Sequence, residues 1–405
     1  MSLRTAVDVQ EERLTAQRSP CPNCRTGTLE PFYEVRGVPV HSVVNIRTRE
    51  EALAFPKGDI ALAWCEGCGF VSNTAYDSSL QEYCSDCEET QGYSDTFQLF
   101  QEQLAERLVK RHSLFGKRIV EVGCGKGEFL SLLCKLGGNS GVGFDPAFVP
   151  ERNPAEGQAN VEFVQAFYSE QNAVGDADFL CCKMTLEHIA DTHAFVSMVR
   201  RSIGSRRTPV FFQVPDFRRI LTDNAFWDVY YEHCSYFTKH ALSQLFQRAG
   251  FEIVDIRSEY DGQYLAIEAV PAEKPMGRLK EDPWLEWTSE RIRNFSSVVA
   301  ETIASWNQRI ASRVTAGENL VIWGSGSKGV SFLTSLRNPG DIRAAVDINP
   351  HRQGTFMAGT GHPVVAPEQL QQSPPDLVIV MNPIYAKEIA TTLQTLGLHS
   401  KLWCV

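Results

Sequence analysis

Three glycines between a predicted strand and a predicted helix are the residues with the clearest chemical meaning. They lie in the run Glu121-Val122-Gly123-Cys124-Gly125-Lys126-Gly127, which has the pattern ExGxGxG. Glycine lets a backbone turn sharply and approach a ligand without a Cβ clash. Asp145 ends the next predicted strand, where its carboxylate can accept hydrogen bonds from both hydroxyls of a ribose. Gly123, Gly125, Gly127 and Asp145 are therefore predicted to bind a nucleoside-type cofactor, against the alternative of a tight turn without a ligand.

Glu121 separates two classes of cofactor. An acidic residue two positions before the first glycine would repel the pyrophosphate of NAD, whereas it suits the cationic methionine end of S-adenosylmethionine (SAM). Met184 follows the fourth predicted strand and is expected to border the same cofactor. His188 in the same loop is interpreted first as part of the cofactor wall, with catalysis as the alternative. The first glycine motif thus favours SAM.

A second cluster of reactive side chains follows the fifth predicted strand. The run from Asp228 to Phe237 contains Tyr230, Glu232 and His233. Ligands bind beyond the carboxyl ends of parallel strands, so this run is predicted to face the same crevice as the glycine loop. A histidine paired with a carboxylate can act as a general base near neutral pH, and a tyrosine hydroxyl can stabilise an enolate oxygen. The alternative is an aromatic loop that only packs under the sheet.

Six of the twelve cysteines form three CxxC pairs: Cys21/Cys24, Cys65/Cys68 and Cys84/Cys87. In a reducing compartment such pairs more often bind metal than form disulfides. Spacing alone favours the second and third pairs as the four ligands of a zinc ion. Any set of four cysteines implies a closed, structural site, and the absence of metal is the remaining alternative.

A second glycine-rich loop, Trp323–Gly329, contains Gly324, Gly326 and Lys328, and Asp347 follows the next predicted strand. By itself this is a dinucleotide-type fingerprint, so an NAD-linked oxidoreductase stays open as an alternative. A structural domain without a ligand is another. Asn382 and Tyr385 follow the third strand of this unit and are expected on the same rim, in contact with a substrate.

The elements that must position these residues follow from the apolar pattern. Short apolar runs alternate with helical stretches from residue 94 onward, which is typical of a parallel sheet covered by helices. Asp261-Gly262 predicts a hairpin turn, and a hairpin closing a parallel sheet is how the class I methyltransferase fold ends. A long amphipathic helix follows and stops near Gly317. The predicted strands are Arg118–Val122, Gly141–Asp145, Val161–Gln165, Phe179–Met184, Val210–Val214, Phe251–Tyr260, Gln263–Val270, Leu320–Trp323, Ala344–Asp347, Leu377–Met381 and Lys401–Val405.

The predicted fold class is α/β, with a class I SAM methyltransferase (Rossmann-like) core between two smaller parts. Residues 1–93 form a cysteine-rich zinc-binding module, expected to be irregular and stapled by metal. Residues 94–272 form the SAM domain, 273–317 a linker with the long helix, and 318–405 a C-terminal Rossmann-like domain.

The paired CxxC motifs, ExGxGxG, the YxEHxSYF run and the GxGxKG loop, in that order, resemble the sugar C-methyltransferase family over essentially the whole chain. The resemblance implies methylation of a carbon beside the ketone of a nucleotide-linked 4-keto-deoxysugar. It implies that His233 is the base, that Tyr230 steadies the enolate oxygen and that Glu232 orients the imidazole. It also implies that the C-terminal domain contributes to binding the sugar nucleotide.

Two further assignments come only from this resemblance. Cys21, Cys24, Cys65 and Cys68 would hold the structural zinc, which departs from the set that spacing favours. A tyrosine before the SAM domain would line the active site. Tyr93 is the first candidate for it and Tyr83 the second.

Composition narrows the classes of function. The chain has 405 residues and a formal net charge of −10, which argues against a nucleic-acid partner. No apolar run is long enough to cross a bilayer, and we expect a cytoplasmic enzyme that is a monomer or a weak homo-oligomer. A methyltransferase with a non-sugar acceptor, the oxidoreductase, and a zinc-dependent binding module without catalysis are the rival hypotheses.

Overall fold

The computed structural model describes residues 19–81, 86–152, 160–274 and 283–405. Within these ranges the strands form three sheets of four, seven and five strands. Each sheet is built from one stretch of the sequence, except that the four-stranded sheet takes one strand from the stretch that forms the seven-stranded sheet. No helix in the described ranges is long and apolar enough to cross a membrane.

The first sheet is antiparallel and takes its last strand from a distant part of the chain. Its strand order is β1-β2-β3-β9. The pairing of β3 with β9 begins two residues after His233, so the N-terminal module and the YxEH run are joined by backbone hydrogen bonds. The strands are β1 (Leu29–Pro39), β2 (Lys57–Cys65), β3 (Val71–Asn73) and β9 (Ser235–Tyr236), with helix α1 (Arg49–Leu53) between β1 and β2.

The expectation that the first 95 residues are irregular was wrong. Strands β1 and β2 pair along almost their whole lengths, but the register shifts between Pro31 and Tyr33 and again between Val35 and Val38. Each shift moves the following side chains to the opposite face, so β1 lacks the two-residue apolar alternation by which a strand is recognised.

The second sheet confirms the predicted class I fold. Its order is β10-β11-β8-β7-β4-β5-β6, with parallel pairing throughout except at β11, which runs antiparallel to both of its neighbours. The strands are β4 (Arg118–Val122), β5 (Ser140–Phe144), β6 (Val161–Val164), β7 (Phe179–Lys183), β8 (Val210–Pro215), β10 (Phe251–Glu259) and β11 (Tyr264–Pro271). The helices are α2 (Asp95–Arg111), α3 (Glu128–Gly137), α4 (Thr192–Ile203), α5 (Phe217–Asp223) and α6 (Lys239–Arg248).

The turn between β10 and β11 is centred where the sequence predicted it. The backbone N–H of Gln263 donates to the carbonyl of Tyr260 at 3.1 Å. Asp261 and Gly262 both have positive φ, at 54° and 74°. A tight hairpin turn whose twist matches the strands requires this conformation, and aspartate and glycine adopt it most readily.

The third sheet is parallel, with the order β14-β13-β12-β15-β16. Strand β14 has only two residues, too few to give a pattern, and was not predicted. The strands are β12 (Leu320–Trp323), β13 (Ala345–Val346), β14 (Val364–Val365), β15 (Leu377–Val380) and β16 (Lys401–Cys404), and the helices are α8 (Ser327–Ser335) and α9 (Ala386–Thr395).

Helix α7 (Leu285–Thr315) ties the outer two parts together. Its Phe295 packs edge-on against Phe32 and Tyr33 of β1, and its Trp306 packs against Phe332 of α8. One continuous apolar core therefore includes side chains from the first sheet, α5, α7 and the third sheet. This shared core holds the carboxyl ends of the second and third sheets on either side of one crevice.

Candidate functional site

A cavity of about 280 Å³ lies between the methyltransferase-type core and the C-terminal unit. Both contribute residues that follow the carboxyl ends of their parallel strands, as expected for ligand sites in such sheets. Several lining residues were not singled out from the sequence, among them Ser94, Asp216, Arg219, Tyr264 and Arg352. The predicted site residues that line the cavity are Tyr93, Met184, Tyr230, His233, Gly324, Gly326, Lys328, Asn382 and Tyr385.

The first glycine loop has the shape that a nucleoside cofactor requires. Gly123, Gly125 and Gly127 all have positive φ, at 70°, 53° and 82°. A Cβ on Gly123 would lie 2.0 Å from the side chain of Thr185, and one on Gly127 would lie 2.3 Å from Phe163. Only glycine can therefore form this turn.

Asp145 lies beside this loop, where its carboxylate accepts a hydrogen bond of 2.9 Å from the backbone N–H of Gly125. Burial raises the pKa of Asp145. Its other oxygen accepts a hydrogen bond of 2.8 Å from the backbone N–H of Ala147. Each carboxylate oxygen can accept a second hydrogen bond, so a carboxylate held in this way beside a glycine turn fits the ribose hydroxyls of SAM.

Glu121 lies under the loop. Its buried carboxylate accepts a hydrogen bond of 3.0 Å from the backbone N–H of Leu130 in α3, and burial raises its pKa to about 8. This bond fixes the start of α3 against the sheet. The predicted contact of Glu121 with the methionine end of SAM stays a prediction.

The segment 86–91 lies across the glycine loop. The ammonium of Lys126 donates to the carbonyl of Cys87 at 2.8 Å, and a carboxylate oxygen of Glu89 lies 3.0 Å from where a Cβ on Gly125 would be. In the described part of the chain, the cavity is lined by Glu88–Gln91 but not by the glycine loop. This segment therefore contacts the cofactor loop and also lines the cavity.

Met184 lines the cavity with a strained backbone. Its φ of 49° is in the left-handed region, which costs a residue with a side chain about 1 kcal/mol. Its N–H is fixed by the carbonyl of Gln213 at 2.8 Å. Strain of this kind is common where a side chain must be held against a ligand.

Four sulfur atoms meet at the start of the first sheet. Cys21 and Cys68 have their Sγ atoms 3.7 Å apart, Cys24 and Cys65 3.8 Å apart, and all four lie within 4.8 Å of one another and are buried. Tetrahedral zinc with bonds of about 2.3 Å to sulfur would place its ligands about 3.8 Å apart. The residues therefore fit a closed zinc site.

The four clustered cysteines are the set that the family resemblance implies. Among the described residues, the cluster joins the first and second CxxC pairs. Cys87 instead pairs through its backbone with Val44, and Cys84, like Tyr83, lies outside the described residues. Among the described residues, Cys65 and Cys68 thus lie with Cys21 and Cys24, because the β1–β2 hairpin brings the end of β2 back beside the start of β1.

His233 stands at the wall of the cavity with Tyr230 beside it. Their ring centroids are 4.2 Å apart, and the ring of His188 lies 4.9 Å from that of His233. Burial, together with His188 and Lys328, lowers the pKa of His233 well below its usual value, whereas burial raises that of Tyr230. Near neutral pH the imidazole is therefore a proton acceptor and the phenol a hydrogen-bond donor.

The predicted role of Glu232 does not match its side-chain contacts. Its Oε1 accepts hydrogen bonds from the backbone N–H and the hydroxyl of Ser42, at 2.5 and 2.6 Å. The hydroxyl of Ser42 also lies 2.7 Å from that of Ser327. Ser42 therefore links the N-terminal module to both the methyltransferase-type core and the C-terminal unit. The carboxylate close to the imidazole of His233 is that of Glu187, at 4.0 Å from Nε2.

Glu232 contacts His188 through its backbone carbonyl instead. Its carbonyl oxygen lies 2.9 Å from Nδ1 of His188, and burial raises the pKa of its own carboxyl to about 7. Ser42 was missed by sequence reasoning because 190 residues separate it from Glu232. No local pattern marks such a pair.

The second glycine loop opens helix α8 into the cavity. Gly324 has a φ of 113°, and Lys328 forms an ion pair with Asp228. Asp347, the residue that would bind a ribose in a dinucleotide fold, accepts hydrogen bonds from the backbone N–H and hydroxyl of Ser325. Arg352 adds a bond of 2.6 Å to the same hydroxyl. Asp347 is thus committed to the loop itself.

Asn382 and Tyr385 line the cavity, but their polar groups fasten the C-terminal unit to the core. The amides of Asn382 and Gln263 bond to each other twice, at 2.9 and 3.1 Å. The hydroxyl of Tyr385 accepts from Tyr260 and donates to Gln91, both at 2.7 Å. Their predicted contact with substrate would have to compete with these bonds.

Tyr93 is 39% exposed and lines the cavity, with its ring 6.1 Å from that of His351. It lies between the segment 86–91 and helix α2. This position leaves its hydroxyl open to solvent or ligand.

Two protein families match the chain. Residues 94–256 match the family described as "Methyltransferase domain", and residues 279–401 match "C-methyltransferase C-terminal domain". The C-methyltransferase NovU of Streptomyces niveus is 27% identical over 307 residues, which are 71% of each chain. A ubiquinone biosynthesis O-methyltransferase of Escherichia coli is 33% identical over 88 residues, covering 20% of this chain and 37% of that protein.

Among solved structures, a magnesium protoporphyrin IX methyltransferase from Synechocystis with bound SAH covers 44% of this chain and 84% of its own. The TM-score is 0.36 and the identity is 16%. The second sheet, the glycine loop and the two family matches agree with the resemblance found in the sequence. The chain is thus similar to this C-methyltransferase family and is a SAM-dependent C-methyltransferase.

Proposed function

We propose that this enzyme transfers the methyl group of SAM to a carbon beside the ketone of a nucleotide-linked 4-keto-deoxysugar. The observation that carries the proposal is the composition of one cavity wall. His233 and Tyr230, which can make and stabilise an enolate, line the same cavity as Gly324 and Lys328, which suit a phosphate. A sugar nucleotide needs both kinds of group.

The ketone makes the neighbouring C–H acidic, and neutral His233 removes that proton. The electron pair of the broken C–H bond becomes the enolate, whose oxygen accepts a hydrogen bond from the hydroxyl of Tyr230. SAM, when bound, would supply the methyl group as an electrophile and would leave as S-adenosylhomocysteine with the electron pair of the broken S–CH3 bond. The proton stays on the imidazole until solvent takes it, and the enolate carbon becomes the methylated carbon.

The C-terminal loop is proposed to hold the nucleotide. Ser327, the first residue of α8, lines the cavity, and Lys328 and Arg219 line it as well, each paired with Asp228. A bound pyrophosphate would form ion pairs with Lys328 and Arg219, which pair with Asp228 in this structure. Unlike Asp145, Asp347 also accepts a hydrogen bond from the hydroxyl of Ser325 and lies 3.8 Å from Nε of Arg352, which argues against NAD as the ligand of this loop.

We also propose that Cys21, Cys24, Cys65 and Cys68 hold a structural zinc ion. It would close the loop that precedes β1 onto the end of β2, far from any reacting atom. The module in turn supplies Ser42 to Glu232 and Val43 to the cavity wall. Zinc would therefore support the site without taking part in the reaction.

Proton exchange tests the proposal. The purified enzyme is incubated in D2O with a panel of nucleotide-linked 4-keto-6-deoxysugars, with and without SAM, beside a His233→Ala variant. We expect deuterium beside the ketone and SAM-dependent gain of a methyl group at the same carbon, both lost in the variant. A protein that binds SAM but neither exchanges nor methylates any of these sugars would contradict the assignment.

A further inference from the structure

The carboxylate that the imidazole of His233 faces has no role in the account given so far. We propose that Glu187 is the positioning residue of the base: its carboxylate stabilises the imidazolium that forms when His233 removes the substrate proton. The proposal rests on the proposed function for its substrate. Its geometry stands independently of that substrate.

Glu187 lies in a short turn directly after β7, and its side chain is buried, with 1% of the residue exposed. Oε1 is 4.0 Å from Nε2 of His233. Among the described residues, neither carboxylate oxygen has a hydrogen-bond partner. A buried carboxyl group without partners is costly, so its presence requires a reason.

The placement of the two side chains gives that reason. His233 lines the cavity, whereas Glu187 is not among the described residues that line it. The imidazole therefore lies between the cavity and the carboxylate. Where a histidine takes a proton from a substrate or nucleophile, the imidazole lies in the same way between the reacting group and an orienting carboxylate.

The other candidates for this role are already engaged. Glu232 is bonded to Ser42, and His188 is bonded through Nδ1 to the carbonyl of Glu232. A metal ion held by Glu187, His188 and His233 would need ligand atoms about 3.3 Å apart in a tetrahedral zinc site. The 4.0 Å between Glu187 and His233 is wider than this, unlike the spacing at the four cysteines.

The charges balance during the step. The C–H bond breaks, its electron pair becomes the enolate, and the proton adds to neutral His233 to give an imidazolium. Glu187, when ionised, compensates that charge from its buried position beside the imidazole. If Glu187 is protonated, the imidazolium forms without compensation and the barrier is higher.

The ionisation of Glu187 should therefore appear in the pH profile. Burial raises its pKa to about 8, so the carboxylate form, which is the active one, is populated as the pH rises through that value. His233 is neutral over this range because its pKa is lowered. The titratable groups that face Glu187 are His233, Cys182 of β7, Tyr230 and Cys234 of the YxEH run, and Tyr264 of β11.

A Glu187→Gln variant tests the proposal, with Glu170→Gln as the matched control, since Glu170 is exposed and pairs only with Arg201 among its described contacts. Deuterium exchange into the sugar is followed from about pH 6 to about pH 10. We expect wild type and control to gain about tenfold per pH unit up to about pH 8 and then level off. On the plateau above about pH 8, E187Q should be slower than wild type by about 10²- to 10³-fold, and its rate should stay constant over the whole range.

Two further measurements separate the outcomes. Glu187→Asp keeps the charge and should keep the pH-dependent limb even if it is slower, and unchanged SAM affinity and melting temperature show that the variants are folded. E187Q with the exchange rate and pH profile of wild type would overturn the proposal.

If wild type exchanges no sugar of the panel, the proposed function fails while this inference stays testable. The ring nitrogens of ¹⁵N-labelled His233 then report its tautomer and charge by NMR in wild type and E187Q. We expect the E187Q substitution to shift both signals and to abolish their change near pH 8. Identical spectra in the two proteins would refute the pairing.

Discussion

The chemistry assigned to His233 depends on its surroundings rather than on its residue type. An exposed histidine is partly protonated near pH 6.5, whereas burial, together with His188 and Lys328, lowers the pKa of this one and keeps it neutral. A neutral imidazole beside a cavity can accept a proton at any physiological pH. In the proposed reaction Tyr230 stabilises the enolate oxygen, and Glu187 stabilises the imidazolium of His233.

Replacing His233 by Asn removes the base but keeps a polar side chain of similar size. We expect methyl transfer to fall by about 10³-fold or more, since a positioned base contributes about 10² to 10⁴. The dissociation constant of SAM, measured by calorimetry, should stay within about twofold because the glycine loop is untouched. A variant that methylates at the wild-type rate would contradict the assignment of the base.

Replacing Tyr230 by Phe removes only the hydroxyl that is proposed to bind the enolate oxygen. Loss of one such donor should lower the turnover number by about 10²-fold with little effect on KM, because the bond strengthens only in the transition state. Tyr231→Phe is the comparison, since the Tyr231 hydroxyl bonds to the backbone of Asp77 instead. Equal effects of both substitutions on turnover would argue for packing alone.

Sequence reasoning placed Tyr230 and His233 at the cavity because they lie in one short run after a parallel strand. It misassigned the carboxylate beside His233 because adjacent side chains point in different directions in an irregular loop. Glu232 turns to Ser42, and Glu187 reaches His233 from another loop. Such directions depend on tertiary packing, which spacing does not encode.

At the scale of elements, the first sheet depends on the four-cysteine cluster for its closure. The short module buries little apolar surface of its own, so a zinc ion would supply much of its stability. Strand β9, which begins two residues after His233, pairs with β3 of this sheet, so a stable module also holds the end of the YxEH run in place.

Replacing Cys21 and Cys24 by Ser should therefore remove zinc and lower the melting temperature, with loss of activity as a consequence. Metal analysis should give about one zinc per wild-type chain and none in the variant. Cys87→Ser should keep its zinc, since Cys87 lies outside the described cluster. Loss of zinc in C87S with retention in the double variant would favour the alternative set.

The parallel strands of the second and third sheets could be predicted because buried strands are short apolar runs between helices. Strand β1 could not, since its two register shifts break the alternation, and β14 is too short. The class I fold was predicted from the glycine motif and the Asp261-Gly262 turn, which mark the first strand and the closing hairpin of that fold.

At the scale of the whole molecule, the base and the nucleotide loop belong to different parts of the chain. The Gln263–Asn382 amide pair and the shared apolar core hold these parts together. This division makes the two halves of the substrate separable by experiment.

Lys328→Met should weaken the sugar nucleotide without affecting SAM. We expect KM for the sugar nucleotide to rise by about tenfold, the effect of one charge-assisted contact of about 1.4 kcal/mol. The SAM dissociation constant should not change. Lys135→Met, at an exposed position of α3, is the control. Weaker SAM binding in K328M with unchanged KM for the sugar would place the nucleotide elsewhere.

The most direct test of the central claim is where the methyl group goes. The enzyme is given SAM labelled with ¹³C in its methyl group together with each nucleotide-linked keto-sugar, and the product is analysed by carbon–proton correlation NMR. We predict a labelled methyl group bonded to the ring carbon next to the ketone. A label bonded to oxygen or nitrogen, or transferred only to an acceptor without a ketone, would contradict the account.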